Sequence, residues 1–282
     1  MSYLDLNYQH VSFKGSHNSY EQPASMSVQL TFDPSNPSNY GCRGLELDIW
    51  RNSDKIGTPY LFTVGHVTND GPPLSIYLSD IMTWHQANPN HDPVFITLDI
   101  KSSDTKKDPL SNFPGEIDGY LSTYFDSSLI FTPSMVMPNP ALSLAANVIQ
   151  TGFPTLSAMR NQFLFCLSGT VEWKSYYAND NITQRLCFSD QDESDSDKHI
   201  TPPVTGNFVV FNFHIYSRDI DTWTTTIPFF KAKNYLVRAY IASSAELWDA
   251  SMSASVSNIA TDDITGTNWA NVGSAPFCET PN

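Results

Sequence analysis

Short apolar runs rich in β-branched and aromatic residues recur along the chain at residues 11–15, 44–50, 61–65, 93–100, 162–167, 207–213, 235–240 and 256–261. Each is five to eight residues long and is followed by a longer polar or helical stretch, the pattern of strands alternating with crossovers. Helical periodicity is clearest over 74–86, where Leu74, Tyr77, Leu78, Ile81 and Trp84 fall on one face, and it recurs over 116–124 and 245–253. Residues 125–159, rich in Pro and small side chains, read as an irregular crossover. The run 190–198, Asp-Gln-Asp-Glu-Ser-Asp-Ser-Asp-Lys, reads as a solvated loop without the ligand order or glycine of an EF-hand. Eight strands with helical returns predict an α/β fold, a (β/α)8 barrel occupying residues 1–282 as a single domain, with functional groups at the C-terminal strand ends.

The chemistry-bearing residues obey that placement. His17 and Asn18, in Lys-Gly-Ser-His-Asn-Ser-Tyr, follow the first predicted strand; Glu46 and Asp48 lie late in the second; His66 ends the third and Asp99 the fourth. Glu46 and Asp48 are two apart on a strand, so both side chains leave one face while Leu45 and Leu47 leave the other. Adjacent carboxylates on a buried strand repel unless a cation sits between them. With Asn18 and Asp99 they offer the oxygen donors of Ca2+, and Mg2+ satisfies the same donor chemistry. Two imidazoles beside such a cluster can serve as acid and base in one turnover. Lys101, two residues beyond Asp99, points to the same side, either to a substrate phosphate or into a salt bridge with Asp99. His10, His85, His91, His199 and His214 have no such company, and the neighbours of His214 favour packing.

Composition narrows the partners. A net charge of -14 over 282 residues opposes broad electrostatic capture of nucleic acid or of an anionic membrane. An anionic substrate must therefore be met locally. No apolar run reaches the roughly 20 residues of a membrane span. Met1 stands almost directly before the first motif, so a secretion signal is expected to lie outside this sequence, and many Ser, Thr, Asn and Pro with few Lys lean toward a secreted protein. Cys42, Cys166, Cys187 and Cys278 show no zinc spacing; Cys166 and Cys187 flank a polar excursion, so a bridge between them and a pair of free thiols are both open. Aromatic residues that follow strand ends, Trp173, Tyr176, Tyr177, Trp223, Phe229 and Phe230, are either a membrane-contacting rim or core.

The motif Ser-His-Asn-Ser-Tyr, the segment Gly41-Cys42-Arg43-Gly44-Leu45-Glu46-Leu47-Asp48, the pair Gly65-His66, the strand Ile96-Thr97-Leu98-Asp99-Ile100-Lys101 and the later Arg238-Ala239-Tyr240 resemble, in order, the catalytic X region of phosphoinositide-specific phospholipase C, in its bacterial-type calcium-dependent branch. The resemblance implies a distorted TIM barrel, calcium at Asn18, Glu46, Asp48 and Asp99, His17 near the attacking inositol hydroxyl and His66 near the diacylglycerol leaving group. It also implies that Arg238 and Tyr240 hold the inositol ring. Metal-independent bacterial relatives carry arginine where Asp48 stands, so the aspartate implies metal dependence, while eukaryotic enzymes have glutamate at the position of Asp99. The implied partner is phosphatidylinositol at a membrane surface, met by a monomer through peripheral contact, with no nucleic acid. A glycerophosphodiester phosphodiesterase uses comparable groups, but its His-Arg-Gly opening is missing. A catalytically silent lipid-binding barrel is the third reading.

Overall fold

The computed structural model describes residues 2–33, 35, 40–102, 110–192, 201–265, 269–270 and 278–279. Eight parallel strands close into a barrel: β1 (Ser12–Ser16), β2 (Gly44–Arg51), β4 (Val94–Ile100), β5 (Phe163–Gly169), β6 (Phe188–Asp192), β7 (Val210–His214), β8 (Leu236–Tyr240) and β9 (Asn258–Thr261), which returns to β1. The seam between β1 and β2 rests on one register pair, Gly15 opposite Gly44. A Cβ on either glycine would meet the side chain of Asn258 at 2.5 or 2.1 Å, so the seam requires residues without one.

Among the described residues, two strands stand outside the ring. β10 (Cys278–Glu279) runs antiparallel to β1. β3 (Phe62–Val64) runs antiparallel to β2, with Ile49 opposite Val64 and Arg51 opposite Phe62. The predicted third barrel strand is therefore a hairpin arm. The ten residues 52–61 are too few for the crossover a parallel neighbour needs, which takes a dozen or more. The eighth barrel strand is instead β6, Phe-Ser-Asp-Gln-Asp, whose last three residues begin the segment read as a solvated loop. Its Asp190 is buried and paired with Lys174 at 2.9 Å; residues 193–198 of that run lie outside the described residues.

Predicted helices are found as α2 (Leu74–Ala87), α3 (Phe113–Tyr124) and α7 (Ala245–Ser253), joined by α1 (Met26–Leu30), α4 (Leu144–Thr151), α5 (Val171–Asn179) and α6 (Ile220–Lys231). α4 lies in the stretch read as irregular. Trp173, Tyr177, Trp223 and Phe230 are buried on α5 and α6, so of the two readings of those aromatics these four are core; Tyr176 and Phe229 are exposed. Cys166 and Cys187 are free and buried. Cys166 sits opposite Phe188 and belongs to the apolar cluster that includes Phe95 and Leu236, whereas Cys187, one residue before Phe188, belongs to the other, with Phe165 and Tyr177. Alternation along the strand turns the two thiols to opposite faces, which excludes a bridge.

Inside the barrel the strands are graded. Phe13, Phe95, Leu164, Phe188, Val210 and Leu236 fill the N-terminal end together with Tyr8, Phe131 and Phe153. Two residues further along the same strands stand Thr97, Cys166, Asp190, Asn212 and Arg238, so polar groups collect toward the C-terminal mouth. Burial of the apolar end stabilises the ring by about 25 cal/mol per Å² and leaves the mouth for chemistry.

Candidate active site and metal centre

Strand register assembles the site. Asp48 lies directly opposite Asp99 across β2 and β4, and Glu46 opposite Thr97. One oxygen of each of Glu46, Asp48 and Asp99 lies within 4.8 Å of the others. Glu46 and Asp48 are buried, at 4 % and 1 % exposure. Burial opposes ionisation of Glu46, yet Arg238 and His17 hold it below its usual range: Arg238 donates to Oε2 at 2.8 Å and the Asn18 N–H donates at 3.1 Å. Asp48 is pushed up to about 7, first by burial and then by the Asp99 carboxylate. Asp99 is also raised, by burial first. Lys101 Nζ serves both aspartates, at 3.1 Å from each Oδ2, and although burial opposes its charge, Asp99 and Asp48 hold the ammonium above its ordinary range. Tyr20 donates its hydroxyl to Asp48 Oδ2 at 3.0 Å.

These residues fit a hard cation. Asp48 and Asp99 share one ammonium, and the crowding that raises both of their buried carboxyls is what a divalent cation between them would relieve. Oxygen donors of this kind suit Ca2+. Asn18, expected as a ligand through its side chain, reaches Glu46 through its backbone N–H, while its amide Nδ2 lies 3.5 Å from Glu21. Its φ of 44° is left-handed, a conformation asparagine tolerates better than most residues, and this bend is what turns the N–H toward Glu46.

The two predicted histidines stand on either side of the carboxylates. His17 Nδ1 lies 2.8 Å from Asp262 Oδ1, and its Nε2 faces Glu46 Oε2 at 3.8 Å. His66 Nδ1 is 3.8 Å from both Asp48 Oδ2 and Glu21 Oε1, with its ring about half exposed. The antiparallel β3 brings it there: the Gly65 N–H donates to the Asp48 carbonyl at 3.0 Å.

Arg238, expected to hold the inositol ring, is 3 % exposed and donates to Asn212 Oδ1 at 2.9 Å as well as to Glu46. Tyr240 stands above it, its ring stacked 5.9 Å from His17 and 4.7 Å from His214. His214, expected to pack among apolar neighbours, is thus at the mouth, hydrogen-bonded to Tyr216 at 2.8 Å.

Asp262 escaped the sequence reading. Ser243 donates to its Oδ2 at 2.8 Å, and the hydrogen bond with His17 is the main influence holding its carboxyl below the ordinary range. It lies one residue beyond β9, so the strand-end rule that selected His17 applied equally; two adjacent aspartates, Asp262 and Asp263, concealed which was meant.

Residues 66–203 match the family model of Ca2+-dependent phosphoinositide phospholipase C. Comparison with curated proteins gives no match. Among solved structures, a calcium-dependent phosphoinositol-specific phospholipase C from Pseudomonas sp is 18% identical with a TM-score of 0.75, over 98% of this chain and 96% of that one. The calcium-dependent phosphatidylinositol-specific phospholipase C of Streptomyces antibioticus is 20% identical with a TM-score of 0.68, over 91% of this chain and 94% of that one. A glycerophosphodiester phosphodiesterase from Parabacteroides distasonis follows at 12% identity and a TM-score of 0.50, over 89% and 92%. The chain shares its barrel with the two bacterial phospholipases, and over residues 66–203, which include His66, Asp99 and Lys101, it matches the family model of Ca2+-dependent phosphoinositide phospholipase C.

Proposed function

We propose that this protein is a calcium-dependent phospholipase C that cleaves phosphatidylinositol by attack of an inositol hydroxyl on its own phosphodiester. The observation that carries the reading is a pair of imidazoles, His17 and His66, flanking the carboxylates of Glu46, Asp48 and Asp99. Asp262 fixes His17 with its proton on Nδ1, so Nε2 is free to take the proton of the attacking hydroxyl. As the hydroxyl oxygen bonds to phosphorus, the bond to the diacylglycerol oxygen breaks, and His66 supplies that oxygen's proton. Diacylglycerol and a cyclic inositol phosphate result. Bound Ca2+ would neutralise charge developing on the phosphoryl oxygens. Arg238 acts through Glu46, holding it ionised and oriented, while Tyr240 offers its ring to the inositol face.

The lipid surface is met by the β2–β3 excursion. Residues 52–61 leave β2 at its C-terminal end, the side of the site, and Ile56, Tyr60 and, beside His66, Val67 are 58%, 52% and 79% exposed. Secretion and a monomeric state complete the proposal. Phosphatidylinositol hydrolysis that vanishes in excess EGTA and returns with Ca2+ supports the reading. Preference for glycerophosphocholine would give the phosphodiesterase reading instead, and binding of lipid without turnover the silent barrel.

A further inference from the structure

Lys101 holds the position a metal would need. Its Nζ is 3.1 Å from Asp48 Oδ2 and 3.1 Å from Asp99 Oδ2. The other oxygen of Asp99 is turned away: a Cβ built at Gly169 would lie 2.1 Å from Asp99 Oδ1, and that oxygen is buried without a partner. Asp48 Oδ1 is buried in the same way. The contacts of Tyr20, His66 and Lys101 all fall on the Oδ2 atoms, so these are the oxygens turned to the site. An ion binding both aspartates must take the pair that Lys101 now holds.

Charge points the same way. Glu46 is matched by Arg238 at 2.8 Å, which leaves two aspartates against one ammonium. A divalent cation in place of that ammonium balances both carboxylates, whereas cation and ammonium on the same two oxygens repel each other strongly where water is scarce. Lys101 is free to leave. It follows directly on β4 at the mouth, its side chain is 26% exposed, and its four-carbon stem swings about single bonds.

We propose that Lys101 is a tethered counter-ion which the metal displaces and which then turns its ammonium to the substrate's phosphodiester. The inference rests on the calcium reading and adds an order to it: metal first, phosphate second. The metal creates the charged contact the phosphate uses, so the two ligands bind cooperatively.

Wild-type protein is treated with an amine-acylating reagent in chelator and across a Ca2+ titration, and each lysine is followed by mass spectrometry while calorimetry on the same samples measures metal binding. Acylation of Lys101 is expected to rise several-fold with the calorimetric midpoint, and that of Lys55, on the exposed excursion, to stay constant. Lys101→Met is expected to bind Ca2+ about tenfold more tightly in calorimetry, since no tethered competitor remains. Calorimetric binding with unchanged Lys101 acylation would overturn the displacement alone, the ion then sitting beside the lysine. No tightening in Lys101→Met would do the same. Absence of any calorimetric binding would remove the calcium reading together with this one.

Discussion

Asp262 and His66 make opposite demands on a substrate, and their variants separate them. Asp262 holds the His17 ring, which in the proposed reaction faces the attacking hydroxyl, a need that does not change with the leaving group. Asp262→Asn is expected to lower kcat about 100-fold on phosphatidylinositol and on a nitrophenyl phosphoinositol ester alike. His66→Ala is expected to lose about as much on phosphatidylinositol, yet to retain much of the wild-type rate on the nitrophenyl ester, whose phenolate leaves without a proton. Equal losses on both esters would place His66 elsewhere in the reaction. Asp48 carries a second residue-level consequence. Burial and Asp99 lift its carboxyl from 3.8 up to about 7, so between those values the folded protein holds a proton that the unfolded chain has shed. Stability from this group is complete below the lower value and is lost as pH rises through the upper one. In chelator the Tm of the wild type is expected to fall relative to that of Asp48→Asn as pH rises from 4 to 7, as followed by thermal denaturation; parallel curves would contradict the assignment.

At the scale of elements, β6 and α5 are joined by Lys174 and Asp190, 2.9 Å apart with both side chains nearly inaccessible. Removing one member takes the opposite charge from beside a buried one, so Lys174→Met is expected to cost about 3–5 kcal/mol in urea unfolding. Lys174→Met with Asp190→Leu is expected to recover most of that loss, because both buried charges are then removed together. The same pair explains why β6 was hidden. Phe188, Asp190 and their neighbours make a strand whose inward positions run from an apolar floor to a charged mouth, and in sequence such a strand has the composition of a loop. β3 shows the converse. Its apolar residues read as one more barrel strand, but the short segment 52–61 permits only an antiparallel return. The hairpin nevertheless delivers His66 to the mouth, where the barrel reading had put it.

At the scale of the whole molecule, a net charge of -14 leaves the proposed lipid binding to local apolar contact. Ile56→Ser with Tyr60→Ser is expected to reduce activity on phosphatidylinositol vesicles several-fold while sparing a soluble short-chain substrate; equal effects on both would move the lipid contact elsewhere. Trp223 and Phe230, first weighed as rim residues, are core, so their replacement belongs to stability measurements. By itself the sequence determined the alternation of strands and helices, the barrel, and the nearness of Glu46, Asp48, Asp99, Lys101, His17 and His66, because side-chain direction along a strand has period two and barrel strands end on one face. Only the tertiary structure decided that Asp262 holds His17, that Arg238 turns down onto Glu46, that Lys101 spans two aspartates and that the cysteines face apart. Each of those is a relation between strands distant in the chain, set by register and by which face a residue occupies, and local periodicity carries no information about a partner some 245 residues away.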